Sequence, residues 1–248
     1  MAHDSHYFGA GVKSNNRFYA IKKYNSIESF WQIFVCYVKM RITNEKGAGV
    51  MYKIITMERE FASGGNEIGR RVAKKLGIEL YDRNILVEAA KRLDIPPIYI
   101  GDLEETAPGS IIFNLSKTAI GGRKDNSNLP MSEKLFLEEK KIIEEIVEKH
   151  DCVIVGRCAS FILKDRKDCL KVFVHADKDY RIERAIQTEK IEPGQAEDFL
   201  RKSDKRRSSF YNTHTGWKWG DLSKFDLCLN SKSLGMDNCV ALLAGMMQ

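Results

Sequence analysis

Several residues in this 248-residue chain have the types and spacing to handle an anion. Ala62-Ser63-Gly64-Gly65-Asn66-Glu67 follows a short apolar run and precedes a helical pattern. Two adjacent glycines let backbone N–H groups turn inward and approach a ligand without side-chain clash. Unpaired N–H groups and the helix dipole at such a junction both favour a phosphate, although Gly-Gly before a helix also serves as a plain tight turn. Arg157, after Cys152-Val153-Ile154-Val155-Gly156, sits where a buried strand would end. Its planar fork suits a phosphate or a pyrimidine edge, or a buried carboxylate in a structural ion pair. Asp82-Arg83 offers a carboxylate and a guanidinium at another strand end, with helix capping the alternative for Asp82. The basic run Arg201 to Arg207 is either a solvated helix face or a set of phosphate ligands.

The elements that must carry these residues are legible around them. Tyr52 to Met57 has the β-branched, apolar composition of a buried parallel strand. Ile68, Val72, Ala73 and Leu76 recur at helical spacing, with Arg70, Arg71, Lys74 and Lys75 on the wet face and Gly77 as the stop. Ile78 to Tyr81 reads as a second strand and Asn84 to Ala90 as a helix start. Ser132 to His150 is an amphipathic helix with Ser132 as its cap. Leu170 to His175 is a strand leading to a cap at Asp177 and a helix over Tyr180 to Glu189, whose Arg181 and Arg184 are expected to pair with neighbouring acids at the surface. Phe225 to Asn230 is a last strand with a structural Asp226, and Ser231 to Gly235 turns into a closing helix, Asp237 to Met246.

Residues 52–248 resemble the cytidylate kinase-like branch of the P-loop nucleoside monophosphate kinases. The matching segments are REFASGGNEIGRRVAKKLG, LYDRNIL, CVIVGRCASFIL, VFVHADKDYRIERAI, DKRRSSFYNTHTGWKWGD and FDLCLNSKSLGMD, in the family's order. The strict G-x-x-x-x-G-K-[ST] pattern is absent. Against GSGKGT, Gly65 takes the lysine position and Glu67 the hydroxyl position, while Ala62 and Asn66 replace an expected glycine and basic residue.

The resemblance implies an α/β, three-layer P-loop nucleoside-kinase-like fold, with a parallel sheet of about five strands and helices on both faces. It also implies transfer of the γ-phosphoryl of ATP, with Mg2+, to a nucleoside monophosphate, CMP or dCMP first. Ser63, Gly64, Gly65, Asn66 and Glu67 would cradle the donor phosphates, with Arg59 or Arg70 replacing the missing lysine. Lys205 and Arg207 would cover the γ-phosphate, and Asp82, Arg83 and Arg157 would hold the acceptor. Magnesium would bind through phosphate oxygens and water, with Glu67 as its candidate protein ligand. The acceptor-binding insertion would fall at about 96–132, where Arg123 and Lys124 lie, and a lid at about 200–220. Tyr211, Trp217 and Trp219 would pack the lid hinge or stack on a base. The same residues leave two other readings open: a same-fold kinase for another small acceptor, and a nucleotide-binding sensor that has lost catalysis.

Composition bounds these expectations. A hydrophobic share of 43% with five prolines is enough for one full core. Of the net charge of +6, residues 1–50 carry seven Lys/Arg against three Asp/Glu, leaving about +2 for the rest, which argues against nucleic-acid binding. Cysteines 36, 152, 158, 169, 228 and 239 form no C-x-x-C pair, as expected of reduced thiols in a cytoplasmic protein. Residues 1–50 fit the rest poorly. Their apolar run from Phe30 to Val38 is too short to span a membrane, and Met51 directly before the first strand suggests an early-called start or an N-terminal extension. Oligomeric state is not encoded legibly.

Overall fold

The computed structural model describes residues 51–99 and 129–247. The N-terminal extension and most of the acceptor insertion, with Arg123 and Lys124, lie outside the described residues.

The chain runs β1 (Ile54–Arg59), α1 (Gly65–Leu76), β2 (Glu79–Tyr81), α2 (Arg83–Arg92), α3 (Met131–Val147), β3 (Cys152–Val155), α4 (Ala159–Ile162) and β4 (Cys169–His175). It continues with α5 (Lys178–Gln187), α6 (Ala196–Thr215), β5 (Leu227–Asn230), α7 (Ser231–Leu234) and α8 (Met236–Met246). The strands make one parallel sheet in the order β2-β3-β1-β4-β5, so β1 is central. The expected three-layer α/β fold with five strands is therefore present.

The two faces follow from the strand alternation. Ile54, Cys152 and Ile154 pack with Ile85, Leu86, Ile142 and Ile143 of α2 and α3. Ile55, Met57, Val153 and Val155 face Ile68 and Val72 of α1 and Leu242 and Leu243 of α8. Burial on both faces is why β1 and β3 read as unbroken apolar runs. The five described cysteines are free, and burial pushes the Cys152 thiol up to about 12 and those of Cys169 and Cys239 to about 11. Such thiols are inert as nucleophiles.

Helix ends differ in detail from the sequence pattern. Gly77 stops α1 in the left-handed conformation, as expected. Ser132 does not cap α3: the cap position is Pro130, and Ser132 lies inside the first turn. Proline fixes a φ suited to that junction, so it takes the boundary two residues earlier. Asp226 accepts from the Lys171 N–H at 2.8 Å, a structural bond between β4 and the approach to β5.

The C-terminal end of α6 is docked on α3 by aromatic rings. His214 stacks on Phe136 at 4.2 Å between centroids and meets Phe210 edge-on at 4.6 Å. Its Nδ1 lies 3.6 Å from a Glu133 oxygen, and its Nε2 is buried without a hydrogen-bond partner. Burial holds this imidazole below its usual 6.5, against the opposing pull of Glu133. The unfolded chain therefore binds the proton more readily than the folded one. The contribution to stability is complete above about pH 6.5 and is lost as pH falls toward the lower folded value. Urea midpoints are expected to drop between about pH 7 and about pH 5.5 in the native chain, and His214→Phe is expected to flatten that dependence.

Candidate phosphate-handling site

The C-terminal ends of β1, β3 and β4 form one edge, where open parallel sheets take ligands. The loop from β1 to α1 stands on it. Ala62 is left-handed with φ 56°, a conformation that favours glycine. Ser63 is fully buried, and its Oγ donates to the carbonyls of Glu60 at 2.9 Å and Val174 at 3.1 Å. Its own N–H turns to Glu60 O at 3.4 Å. Ser63 thus anchors the loop to β4, directly ahead of the first turn of α1, Gly65, Asn66 and Glu67. No side chain caps that turn.

Two glycine positions are required by close approach. Gly64 has φ 84°, and a Cβ there would meet Met236 Sδ at 2.8 Å. A Cβ on Gly65 would lie 2.6 Å from Arg59 Cβ. The turn after β5 closes the other side, with Ser231 Oγ donating to Ser63 O at 2.6 Å.

Arg59, the last residue of β1, runs across this edge. Its Nε donates to Asn66 Oδ1 at 3.0 Å, and its Nη1 is the atom that a Cβ on Gly156 would strike at 2.4 Å. One guanidinium therefore spans the glycine loop and the loop after β3. Arg207 of α6 joins it: Nη1 donates to Arg59 O at 3.3 Å, and the guanidinium lies 5.6 Å from the Phe61 ring centre. Arg70, Lys205 and Arg206 are exposed side chains. Of the two arginines considered for the missing lysine, only Arg59 is against the loop.

The loop after β3 is unusually wound. Gly156, Arg157 and Cys158 have φ of 77°, 59° and 55°, three consecutive left-handed residues. Two of them are not glycine, and such strain persists only where surroundings over-determine it. Arg157 is buried, with Nη1 3.2 Å from Oε1 of Glu139 on α3, itself 1% exposed. The structural ion pair left open by the sequence is therefore formed, and it holds the guanidinium at the sheet edge. At β2, Asp82 caps α2: its Oδ1 accepts from Arg83 N at 2.5 Å, while Arg83 is exposed. Tyr211 is buried, with its hydroxyl 3.3 Å from Ser160 Oγ. Trp217 and Trp219 pack edge-on against Phe161 and Phe173.

Two arginines depart from expectation. Arg181 and Arg184 pair with distant acids rather than surface neighbours. Arg181 is buried between Glu60 and Asp204. Arg184 Nη2 donates to Glu67 Oε2 at 2.8 Å, and its tip is 3.6 Å from the place of a Cβ on Gly64. Helical spacing predicted local partners, but α5 lies alongside α6 and the glycine loop, which supply acids far away in sequence. The same contact bears on metal binding. Glu67 is engaged by Arg184 and, at 3.7 Å, by Arg71. A carboxylate that accepts from Arg184 would have to give up that ion pair to take a divalent cation.

These features make a parallel α/β sheet with a glycine-rich β1–α1 loop and arginines from three elements at one edge. A model of the cytidylate kinase-like family matches residues 54–233, and the chain belongs to that family. No curated protein matches the chain. Among solved structures, it is similar to an uncharacterized protein from Eubacterium ventriosum ATCC 27560 at 25% identity and TM-score 0.59, covering 78% of this chain and 97% of that one. It is also similar to shikimate kinase from Bacteroides thetaiotaomicron, at 15% identity and TM-score 0.44, with coverage of 77% and 95%. A gluconokinase from Sinorhizobium meliloti 1021 matches at 14% and 0.42, with coverage of 79% and 92%. The chain is thus a kinase-like, nucleotide-binding protein by family. No helix among the described residues is long and apolar enough to cross a membrane.

Proposed function

We propose that this protein transfers the γ-phosphoryl of ATP to a nucleoside monophosphate, with CMP and dCMP as the first acceptors to test. The observation that carries the reading is the path of Arg59, which contacts Asn66 beside the glycine loop and fills the space over Gly156. In this reading a cation that spans both loops would meet the charge that passes from donor to acceptor.

The chemistry asks for positioning and charge neutralisation more than for a base. An acceptor phosphate is mostly ionised near neutral pH, its second pKa being about 6, so its oxygen can attack the γ-phosphorus directly. The bond to the β,γ-bridging oxygen breaks, and ADP leaves. In this reading the N–H groups of Gly65, Asn66 and Glu67 hold the donor phosphates. Arg59 and Arg207 balance charge on the transferring group, and Arg157 and Asp82 bind the acceptor. Lys205 and Arg83, both exposed, would join the phosphates once ligand is bound. Magnesium, when bound with ATP, would screen the phosphate charge and would be held by phosphate oxygens and water rather than by Glu67.

A second reading, nucleotide binding without transfer, is favoured by Glu67, Arg184 and Arg71 standing where a P-loop kinase would bring a metal-binding hydroxyl. An acceptor panel separates the two. ADP release from ATP and magnesium is measured with CMP, dCMP, UMP, AMP, GMP, shikimate, gluconate and no acceptor. Turnover with CMP or dCMP that collapses in Arg157→Ala is the expected result. Turnover with another acceptor alone would redirect the assignment, and ATP binding with no turnover on any of them would favour the second reading.

A further inference from the structure

Arg181 is a buried cation that the phosphate-site reading leaves unused. Its side chain is 8% exposed, with Nη1 2.8 Å from Glu60 Oε2 and Nη2 donating to Asp204 Oδ2 at 2.5 Å. The other Asp204 oxygen accepts the Phe61 N–H at 2.7 Å, and Glu60 Oε2 also accepts from Ala176 N at 3.2 Å. The two residues immediately after β1 are therefore held from both sides. The Glu60 side chain is tied to α5 and the end of β4, and the Phe61 backbone is tied to α6. Asp204 and Arg207 are three residues apart on α6 and share a face. Fixing Asp204 against the loop thus fixes the height at which Arg207 meets Arg59 O.

Packing alone already joins these elements. Ala185, Ala196 and Leu200 form an apolar cluster with Phe61, Ile182 and Ile186. Adding a bridge between a buried guanidinium and two partly buried carboxylates to such a cluster brings a desolvation cost that apolar side chains would avoid, so it is weak evidence for stability. What it supplies is a defined register, because its hydrogen bonds form in one arrangement of α5, α6 and the loop.

We infer that Arg181, Glu60 and Asp204 are positioning residues, a clamp that sets Arg207 and the β1–α1 loop in register for phosphoryl transfer. The inference rests on the loop being the donor-phosphate site. Cutting the clamp lets α6 shift, so Arg207 leaves its place while the N–H groups of the first turn of α1 remain. Turnover falls further than ATP binding.

The test uses the full chain with Asp204→Asn, Asp204→Ala and Arg181→Lys. Asparagine still accepts the Phe61 N–H but carries no charge toward Arg181; alanine does neither. The expected result is a kcat lower by about tenfold in Asp204→Asn and about 100-fold in Asp204→Ala, the scale of small misplacements in active sites. KM for ATP stays within about threefold, and Arg181→Lys retains part of the rate. Folded variants with native kcat, or with a raised KM alone, would overturn the clamp. Hydrogen exchange at the Phe61 amide gives a readout independent of activity, expected to accelerate at least about tenfold in Asp204→Ala and little in Asp204→Asn. If the native chain shows no turnover with any acceptor, the phosphoryl-transfer reading fails by itself. The exchange rates then decide whether the clamp holds the loop, and an unchanged Phe61 amide in Asp204→Ala overturns it.

Discussion

Replacing Gly65 with alanine is expected to lower kcat/KM for ATP by at least about 100-fold, the largest effect on activity that the site geometry implies. An added Cβ would lie 2.6 Å from Arg59 Cβ and 2.9 Å from its Cγ. These atoms are the base of a side chain rooted in the central strand, so neither can swing aside. Either β1 or the first turn of α1 must move, and the N–H groups move with it. Overpacking of this kind costs about 1–3 kcal/mol of stability, which urea unfolding measures separately from ATP titration. Gly194→Ala is the control, because nothing lies within 4 Å of its added Cβ. Native ATP affinity in Gly65→Ala would remove the loop from the donor site.

Glu139→Ala carries the largest expected loss of stability. Arg157 and Glu139 have side chains only 6% and 1% exposed. Removing the carboxylate leaves a guanidinium buried within a run of three left-handed residues, and breaking one partner of a buried pair costs about 3–5 kcal/mol. At about 2–4 °C per kcal/mol for a domain of this size, the melting temperature falls by roughly 6–20 °C. Asp198→Ala, which removes the exposed pairs with Arg201 and Lys202, should leave the melting temperature unchanged. The pair also separates structure from function. If Arg157 contacts the acceptor, Glu139→Gln raises the acceptor KM and leaves that for ATP alone, whereas a purely structural pair changes neither.

The site was legible in sequence wherever its parts are adjacent along the chain. Strand, glycine loop and helix run consecutively from Tyr52 to Gly77, and apolar runs mark β1 and β3 because both faces of those strands are buried. The capping role of Asp82 was legible for the same reason, its partner being the next residue. What sequence could not give is the pairing of distant charges. Arg184 meets Glu67 across 117 positions, and Arg181 meets Asp204 across 23 and Glu60 from the opposite side. Nearer acids lie along the chain, Asp177 for Arg181 and Glu183 for Arg184, and only the packing of α5 beside α6 and the loop decides otherwise. Glu139 was likewise hidden in a helix rich in glutamate, where nothing but burial distinguishes it from Glu138 or Glu144. Arg59 was named as a candidate, but its reach to Gly156 depends on β1 and β3 being neighbours in the sheet.

The most direct test of the central claim, that Arg59 links donor and acceptor in phosphoryl transfer, is a single-turnover measurement with γ-labelled ATP and the best acceptor from the panel. Native chain, Arg59→Lys and Arg59→Ala are compared at saturating ATP. The account predicts label on the acceptor nucleotide in the native chain, a transfer rate at least about 100-fold lower in Arg59→Ala and partial recovery in Arg59→Lys. An unchanged transfer rate in a folded Arg59→Ala, or no labelled nucleotide from the native chain with any acceptor, would contradict it.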